Sequence, residues 1–244
     1  MTTFGAGSAA ATIVRPSRAA IDRAVRLGAG SLLWSALLLV TYWWVADGGL
    51  RVGFANGAAV LALGQVTGLV ASMLLLAQVV LMARLPMLER AFGQDGLARV
   101  HRLVGFTGFD LMIAHILLVT VGYAAGDVLA GPAELWTLMV DYPGMLLAVA
   151  GTGCLVLVVV TSIRAARRSL RYESWHLLHL YAYLGVGLAL PHQLWTGGQF
   201  VGSTGRTVFW WAAWASAAAA VLIWRLAFPR SEEHTSELQS LTNL

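Results

Sequence analysis

Four histidines form two pairs whose spacing indicates chemistry inside a membrane. His101 and His115 are 14 residues apart, and His179 and His192 are 13 residues apart. In a helix these separations correspond to about 21 Å and about 19.5 Å. Ionisable residues within apolar spans are costly and usually functional, and imidazole is a good ligand for transition metals. If the two helices run in the same direction, His101 faces His179 and His115 faces His192, which predicts two metal sites at different depths.

An iron atom with one imidazole on each side has the coordination of a bis-histidine haem. The two pairs therefore predict two b-type haems, stacked about 20 Å apart within a hydrocarbon core of about 30 Å. The helical phases of His101 and His115 differ by about 40°, whereas those of His179 and His192 differ by about 140°. Because Pro191 precedes His192, we expect a kink or a locally overwound turn that brings His192 back toward the third helix.

Two glycines lie on the same helical face as His101. Gly105 and Gly108 follow it by four and seven residues, and we expect them to leave room for a flat macrocycle. Small residues are also common where membrane helices pack against each other, so close helix packing is an alternative for the glycines alone. Their position on the same stripe as the histidines favours cofactor binding.

Two further ionisable residues accompany the histidine pairs. His176 lies one turn before His179, and we interpret it as a cofactor neighbour or an interfacial residue and not as a ligand. Asp110 lies between His101 and His115 at a helical phase about 180° from His101. We expect it to face another helix, with Gln78 as its partner.

The composition is that of a protein embedded in a membrane. Of the 244 residues, 58% are hydrophobic and 11% are charged, against about 25% charged in soluble domains. A bilayer-spanning helix needs about 20 apolar residues. Six segments reach that length, and because backbone groups in lipid must bond within their own segment, they predict an all-α six-helix bundle with the haems between helices 3 and 5. The predicted spans are residues 27–46, 57–83, 103–123, 144–163, 175–195 and 207–228.

The arginines alternate from one connecting segment to the next. All 16 basic residues are arginine, and they cluster before span 1, between spans 2 and 3, and between spans 4 and 5. The intervening segments contain only Arg51 and Arg206. By the positive-inside rule, this pattern predicts a plasma membrane protein, interpreted as bacterial, with both termini in the cytoplasm. The single cysteine, Cys154, excludes a disulfide within the chain.

The two ends of the chain differ from its centre in composition. We predict a cytoplasmic tail over residues 1–26 and the haem-binding membrane domain over residues 27–229. Residues 230–244 are polar and acidic, and they resemble the translation of a common sequencing-adapter oligonucleotide. We therefore interpret this segment as an artefact of a truncated gene fragment, which removes His234 from the candidate ligands.

Two segments resemble the ferric reductase-like transmembrane domain that ferric reductases and NADPH oxidases share. Residues 93–105, GQDGLARVHRLVG, with His115 beyond them, are similar to its third helix. Residues 172–183, YESWHLLHLYAY, with His192 beyond them, are similar to its fifth helix. The resemblance covers roughly residues 27–229, and the paired histidines are its most specific part.

The resemblance implies a route for electrons. In this family, electrons pass from NADPH or NADH through FAD on a cytoplasmic dehydrogenase domain to the haems, and then to ferric iron or oxygen on the far side. No flavin or dinucleotide motif is present here, so FAD and NAD(P)H are implied only for a missing domain. Two alternatives stay open: a stand-alone haem subunit reduced by a separate flavoprotein, and a haem-free channel or transporter.

Overall fold

The described part of the chain is helical and crosses a membrane. The computed structural model describes residues 17–51, 57–163 and 171–227. Predictions made for residues 1–16, for the arginines at 164–168 and for the segment 230–244 with His234 lie outside these residues. The main helices are α1 (Arg18–Ala46), α2 (Ala58–Leu81), α3 (Pro86–Tyr123), α4 (Gly131–Asp141), α5 (Met145–Ser162), α6 (Tyr172–Trp195), α7 (Gly198–Val201) and α8 (Thr204–Ala220), which continues as a π-helical segment, Val221–Ala227.

Five of these helices are long and apolar enough to cross a bilayer: α1, α2, α3, α5 and α8 with its extension to Arg225. Their apolar surfaces make the chain an integral membrane protein. The predicted fifth span corresponds to α6, whose 24 residues suffice in length. Because of its histidines and other polar side chains, α6 is less apolar than the five helices named above. The sixth crossing therefore stays a prediction.

Two helices start earlier than the apolar pattern indicates. α1 begins at Arg18, nine residues before the predicted span, and the Ser17 hydroxyl accepts a hydrogen bond from the Ala20 amide at its start. α3 is 38 residues long and includes a non-helical Gly93 (φ 69°, ψ 161°). Gly93 separates a short first helix from the membrane helix. Its positive φ would be strained for other residues.

α2 is the centre of the bundle. Half of its most apolar 18-residue stretch is buried within the protein, whereas at most 22% of the corresponding stretch is buried in each of the other four candidate spans. It packs along α3, where a Cβ on Gly122 would lie 2.7 Å from the Leu61 Cα atom. A second close pair joins α5 to α6, where a Cβ on Gly151 would lie 2.6 Å from the Gly185 carbonyl oxygen. Small residues therefore create two tightly packed helix pairs.

Candidate metal centre

α3 and α6 carry the histidines, but they make little direct backbone contact with each other. α3 packs on α2, and α6 packs on α5. A cavity of about 1020 Å³ lies between the two helix pairs, and both His101 and His179 line it. Cofactor and ligand sites commonly have volumes of about 300–1,000 Å³. The separation of the two helix pairs therefore leaves a space of cofactor size beside two imidazoles.

The first predicted pair is brought together in this cavity. The ring centroids of His101 and His179 are 6.0 Å apart, and their planes are inclined by 63°. Metal–imidazole bonds of roughly 2 Å on each side, plus about 1 Å from each nitrogen to its ring centre, give roughly 6 Å. The separation therefore leaves room for one metal ion that would be bound by one nitrogen of each ring.

The surroundings of His179 leave its second nitrogen available. Its Nδ1 atom lies 3.4 Å from the Ser162 hydroxyl oxygen of α5, and the Trp175 ring lies 4.9 Å from its own ring. A contact at Nδ1 leaves Nε2 for a metal. The His101 Nδ1 atom is buried and has no hydrogen-bond partner among the described residues. Buried polar atoms normally have partners, and the Gln78 backbone of α2 lies close enough to act on this ring.

The cavity wall carries several cations. His176 also lines the cavity, and its role as a cofactor neighbour or an interfacial residue stays a prediction. Arg225, from the π-helical segment, donates a hydrogen bond to the Met82 carbonyl at 3.1 Å and lies over the Tyr183 ring at 5.5 Å. This wall favours a ligand with negative groups near the membrane surface. The charged lining residues are Arg84, Glu89, Asp95, Arg99, Arg102 and Arg225.

The second predicted pair lies deeper among the helices. His115 Nδ1 lies 2.8 Å from the Gly64 carbonyl oxygen of α2. A carbonyl only accepts, so Nδ1 must donate its proton and Nε2 is the nitrogen left for a metal. His192 is close enough to His115 for the two to interact electrostatically. Its Nδ1 atom is buried and lacks a hydrogen-bond partner in the described chain.

Two glycines make room for the second pair. A Cβ on Gly68 would lie 2.5 Å from the His115 Nδ1 atom. Gly144, at φ 80° in the turn before α5, approaches His192 so closely that a Cβ would lie 2.8 Å from its backbone nitrogen. Neither glycine was among the residues predicted from sequence, because their partners are distant in the chain. The helical spacing of Gly64 and Gly68 is the one signal that could have indicated α2 as a neighbour.

The predicted glycines of α3 both face α2. A Cβ on Gly105 would lie 2.6 Å from the Gln78 side-chain oxygen, and Gly105 also lines the cavity. A Cβ on Gly108 would lie 3.2 Å from Leu74 Cβ. Gly108 therefore allows close packing of α3 on α2, which was the alternative to a role in cofactor binding. A role of either glycine in binding a cofactor stays a prediction.

Two expectations about the helices have different outcomes. α6 is continuous through Pro191 to Trp195, and overwinding near Pro191 stays a prediction. The placement of Asp110 against another helix is wrong. Its side chain is exposed on α3, because the opposite face packs on α2, and Gln78 lies beside Gly105 instead.

The described residues offer paired imidazoles and no larger cluster. Within residues 17–51, 57–163 and 171–227, no group of three His, Cys, Asp or Glu side chains could hold a metal ion directly. Structural zinc sites need four protein ligands and catalytic ones three. A metal ion that a chelate already holds needs fewer protein ligands, and His101 and His179 bring two imidazoles together.

Comparison with known proteins identifies the family. The model of the ferric reductase-like transmembrane component matches residues 67–190, which are 124 of the 244 residues and just over half of the chain. The match is shorter than the resemblance over residues 27–229. It includes His101, His115 and His179, and it ends two residues before His192. No curated protein and no solved structure matches the chain. The match over half of the sequence shows that this chain belongs to the family of ferric reductase-like transmembrane components.

Proposed function

We propose that the chain conducts electrons across a membrane through two b-type haems, one held by His101 and His179 and the other by His115 and His192. Transmembrane electron transfer is the general activity that its family membership indicates. The observation that carries the proposal is the 6.0 Å separation of the first two imidazole rings across a cavity. When bound, haem iron supplies one-electron chemistry by alternating between its ferric and ferrous states.

The helices hold the imidazoles at two depths. α3 and α6 belong to separate packed pairs, so a flat group can enter between them without disrupting either helix-packing interface. His115 receives its orientation from the Gly64 carbonyl, and His179 has the weaker contact to Ser162. Such contacts set the tautomer and would leave Nε2 to bind the metal.

The cations of the cavity wall favour binding of the carboxylates of a haem. Four arginines line the cavity, and guanidinium groups pair well with carboxylates. Arg225 is already positioned by the Met82 carbonyl and the Tyr183 ring. The same positive charge would also favour gain of an electron by the haem bound at His101 and His179. The arginine-rich connecting segments predict that this end faces the cytoplasm.

The electron donor follows from the family and not from a motif in this chain. We propose a cytoplasmic flavin dehydrogenase, with FAD reduced by NADH or NADPH, as a domain or a separate subunit. Ferric iron or oxygen accepts the electrons on the opposite side. The cationic end of the gap, with Arg84 and Arg225 in its wall, provides a surface that a flavoprotein with an acidic face can approach.

A spectrum of the purified protein tests the proposal. Protein from haem-replete cells, reduced with dithionite, should show the α-band of b-type haem, and pyridine extraction should give two haems per chain. The His176→Ala variant is the control, since His176 is a neighbour and not a ligand, and it should also hold two haems. A colourless preparation would contradict the proposal and favour a haem-free channel or transporter.

A further inference from the structure

The oxygen of the Gly64 carbonyl is a shared acceptor inside the bundle. It lies 2.8 Å from His115 Nδ1 and 2.9 Å from the Thr67 hydroxyl oxygen. The same hydroxyl lies 3.0 Å from the Leu63 carbonyl, so its single proton is divided between two acceptors. Because His115 has no other described partner at Nδ1, this carbonyl determines the tautomer of the ring.

Glycine is required twice on α2 for this contact to form. A Cβ on Gly68 would lie 2.5 Å from His115 Nδ1 and 2.8 Å from Cε1. A Cβ on Gly64 would lie 2.9 Å from the Val119 backbone nitrogen of α3. The glycine therefore lets α3 approach α2 this closely. A glycine inside a helix costs roughly 0.5–1 kcal/mol relative to alanine, and here the approach of α3 and the imidazole provides the reason for it.

None of the other three histidines has a hydrogen bond as short as this one at its described Nδ1 atom. His179 has a longer contact of 3.4 Å to a hydroxyl that can rotate. The Nδ1 atoms of His101 and His192 have no hydrogen-bond partner in the part of the chain that is described. A backbone carbonyl in a helix cannot rotate away. The backbone groups of Gln78 and Ala189 also act on His101 and His192, but His115 is the histidine whose Nδ1 has a 2.8 Å hydrogen bond to such a carbonyl.

We infer that Gly64 and Gly68 are positioning residues that form a seat for His115. The Gly64 carbonyl holds the Nδ1 proton, and the missing side chain of Gly68 lets the ring reach it. A hydrogen bond donated from Nδ1 makes the imidazole a more basic ligand and favours the ferric state. The seat therefore lowers the reduction potential of the haem of His115 and His192, which we call the outer haem. This inference rests on the proposed haem function.

The Gly68→Ala variant tests the seat. Its new methyl group displaces the His115 ring, so one of the two haems should be lost or should shift to a more positive midpoint potential. The low-spin electron paramagnetic resonance signal of the haem at His115 should change too, while the signal of the haem at His101 and His179 should stay the same. The matched control is Gly153→Ala on α5, where nothing lies within 4 Å of the added Cβ. Equal potentials and signals in the two variants would overturn the inference.

The Thr67→Val variant gives a second and opposite test. It removes a competing donor from the Gly64 oxygen at nearly constant volume, so the bond from His115 strengthens and the outer potential should become more negative. Where Gly68→Ala yields no folded protein, this variant decides: an unchanged or more positive potential contradicts the seat. A wild-type protein without haem would instead contradict the proposed function, so the two failures are distinguishable.

Discussion

The two histidine pairs have the same ligand chemistry but different surroundings. His101 and His179 border a cavity of about 1020 Å³ with four arginines in its wall. His115 instead lies against α2 and donates a 2.8 Å hydrogen bond to a backbone carbonyl. Charge therefore dominates the first site and hydrogen bonding the second. Because cations favour an added electron and a basic ligand disfavours it, we expect the pair at the cationic cavity to have the higher potential.

The largest effect should come from removing a ligand from either pair. We expect His101→Ala and His115→Ala each to lower the haem content from two per chain to one, since a bis-histidine site does not survive loss of one side. Pyridine extraction and the reduced spectrum measure this content. Retention of two haems in either variant would exclude that histidine as a ligand.

A smaller and more local effect should follow from Gly144→Ala. The added Cβ would lie 2.8 Å from the His192 backbone nitrogen at a residue with φ 80°. We expect weaker retention of the outer haem on dilution or heating, with a stability loss of about 1–3 kcal/mol from backbone strain. Gly126→Ala is the matched control. It has φ 87°, but its closest contact would be 3.8 Å, so it should lose stability without selective loss of the outer haem.

The cationic wall should affect only the first pair. Arg225→Gln removes a charge from the cavity, and we expect the midpoint potential of that haem to fall by an amount on the order of tens of millivolts. The outer potential should stay constant in the same redox titration. Arg90→Gln serves as the control, because Arg90 is exposed and donates to the Pro86 carbonyl of its own helix. Equal shifts at both haems would contradict the separation of the two environments.

The smallest effect concerns an ion pair outside both sites. Asp47 accepts hydrogen bonds from Arg206 at 2.5 Å and 2.8 Å, and from Gln199 at 2.5 Å. The hydrogen bond from Arg206 lowers the pKa of the Asp47 carboxyl from 3.8 to about 2. Its stabilisation is therefore complete above pH 4 and disappears as the pH falls toward 2. Since the Asp47 side chain is 41% exposed, Asp47→Asn should cost no more than about 1 kcal/mol.

Thermal unfolding in detergent at pH 7 and near pH 3 measures that difference. The gap between wild type and Asp47→Asn should narrow at the lower pH, and the haem spectrum should be the same in both proteins. A gap that widens on acidification would contradict the assigned hydrogen bonds.

The sequence predicts what depends on spacing along one helix. The apolar spans anticipate α1, α2, α3, α5 and α8, and the near-equal separations of the histidines anticipate that His101 meets His179. Matched depth on two parallel helices follows from the rise per residue. Helical phase alone was less informative for Asp110, because phase gives a direction and not the identity of the neighbour in that direction.

Features that depend on contacts between distant segments could not be predicted. The seat on α2 joins residues 51 positions apart, and the approach of Gly144 to His192 joins the turn before α5 to the end of α6. The extension of α1 to Arg18 was also missed. In this extension, Arg26 donates a 2.9 Å hydrogen bond to the Ala91 carbonyl of α3. Polar contacts of this kind stabilise the part of α1 that lies before its apolar span.

The haem content of double variants tests the pairing most directly. Removing both members of one pair, as in His101→Ala with His179→Ala, should leave one haem per chain. Removing one member of each pair, as in His101→Ala with His192→Ala, should leave none. Equal haem content in the two double variants would contradict the assignment of His101 with His179 and of His115 with His192.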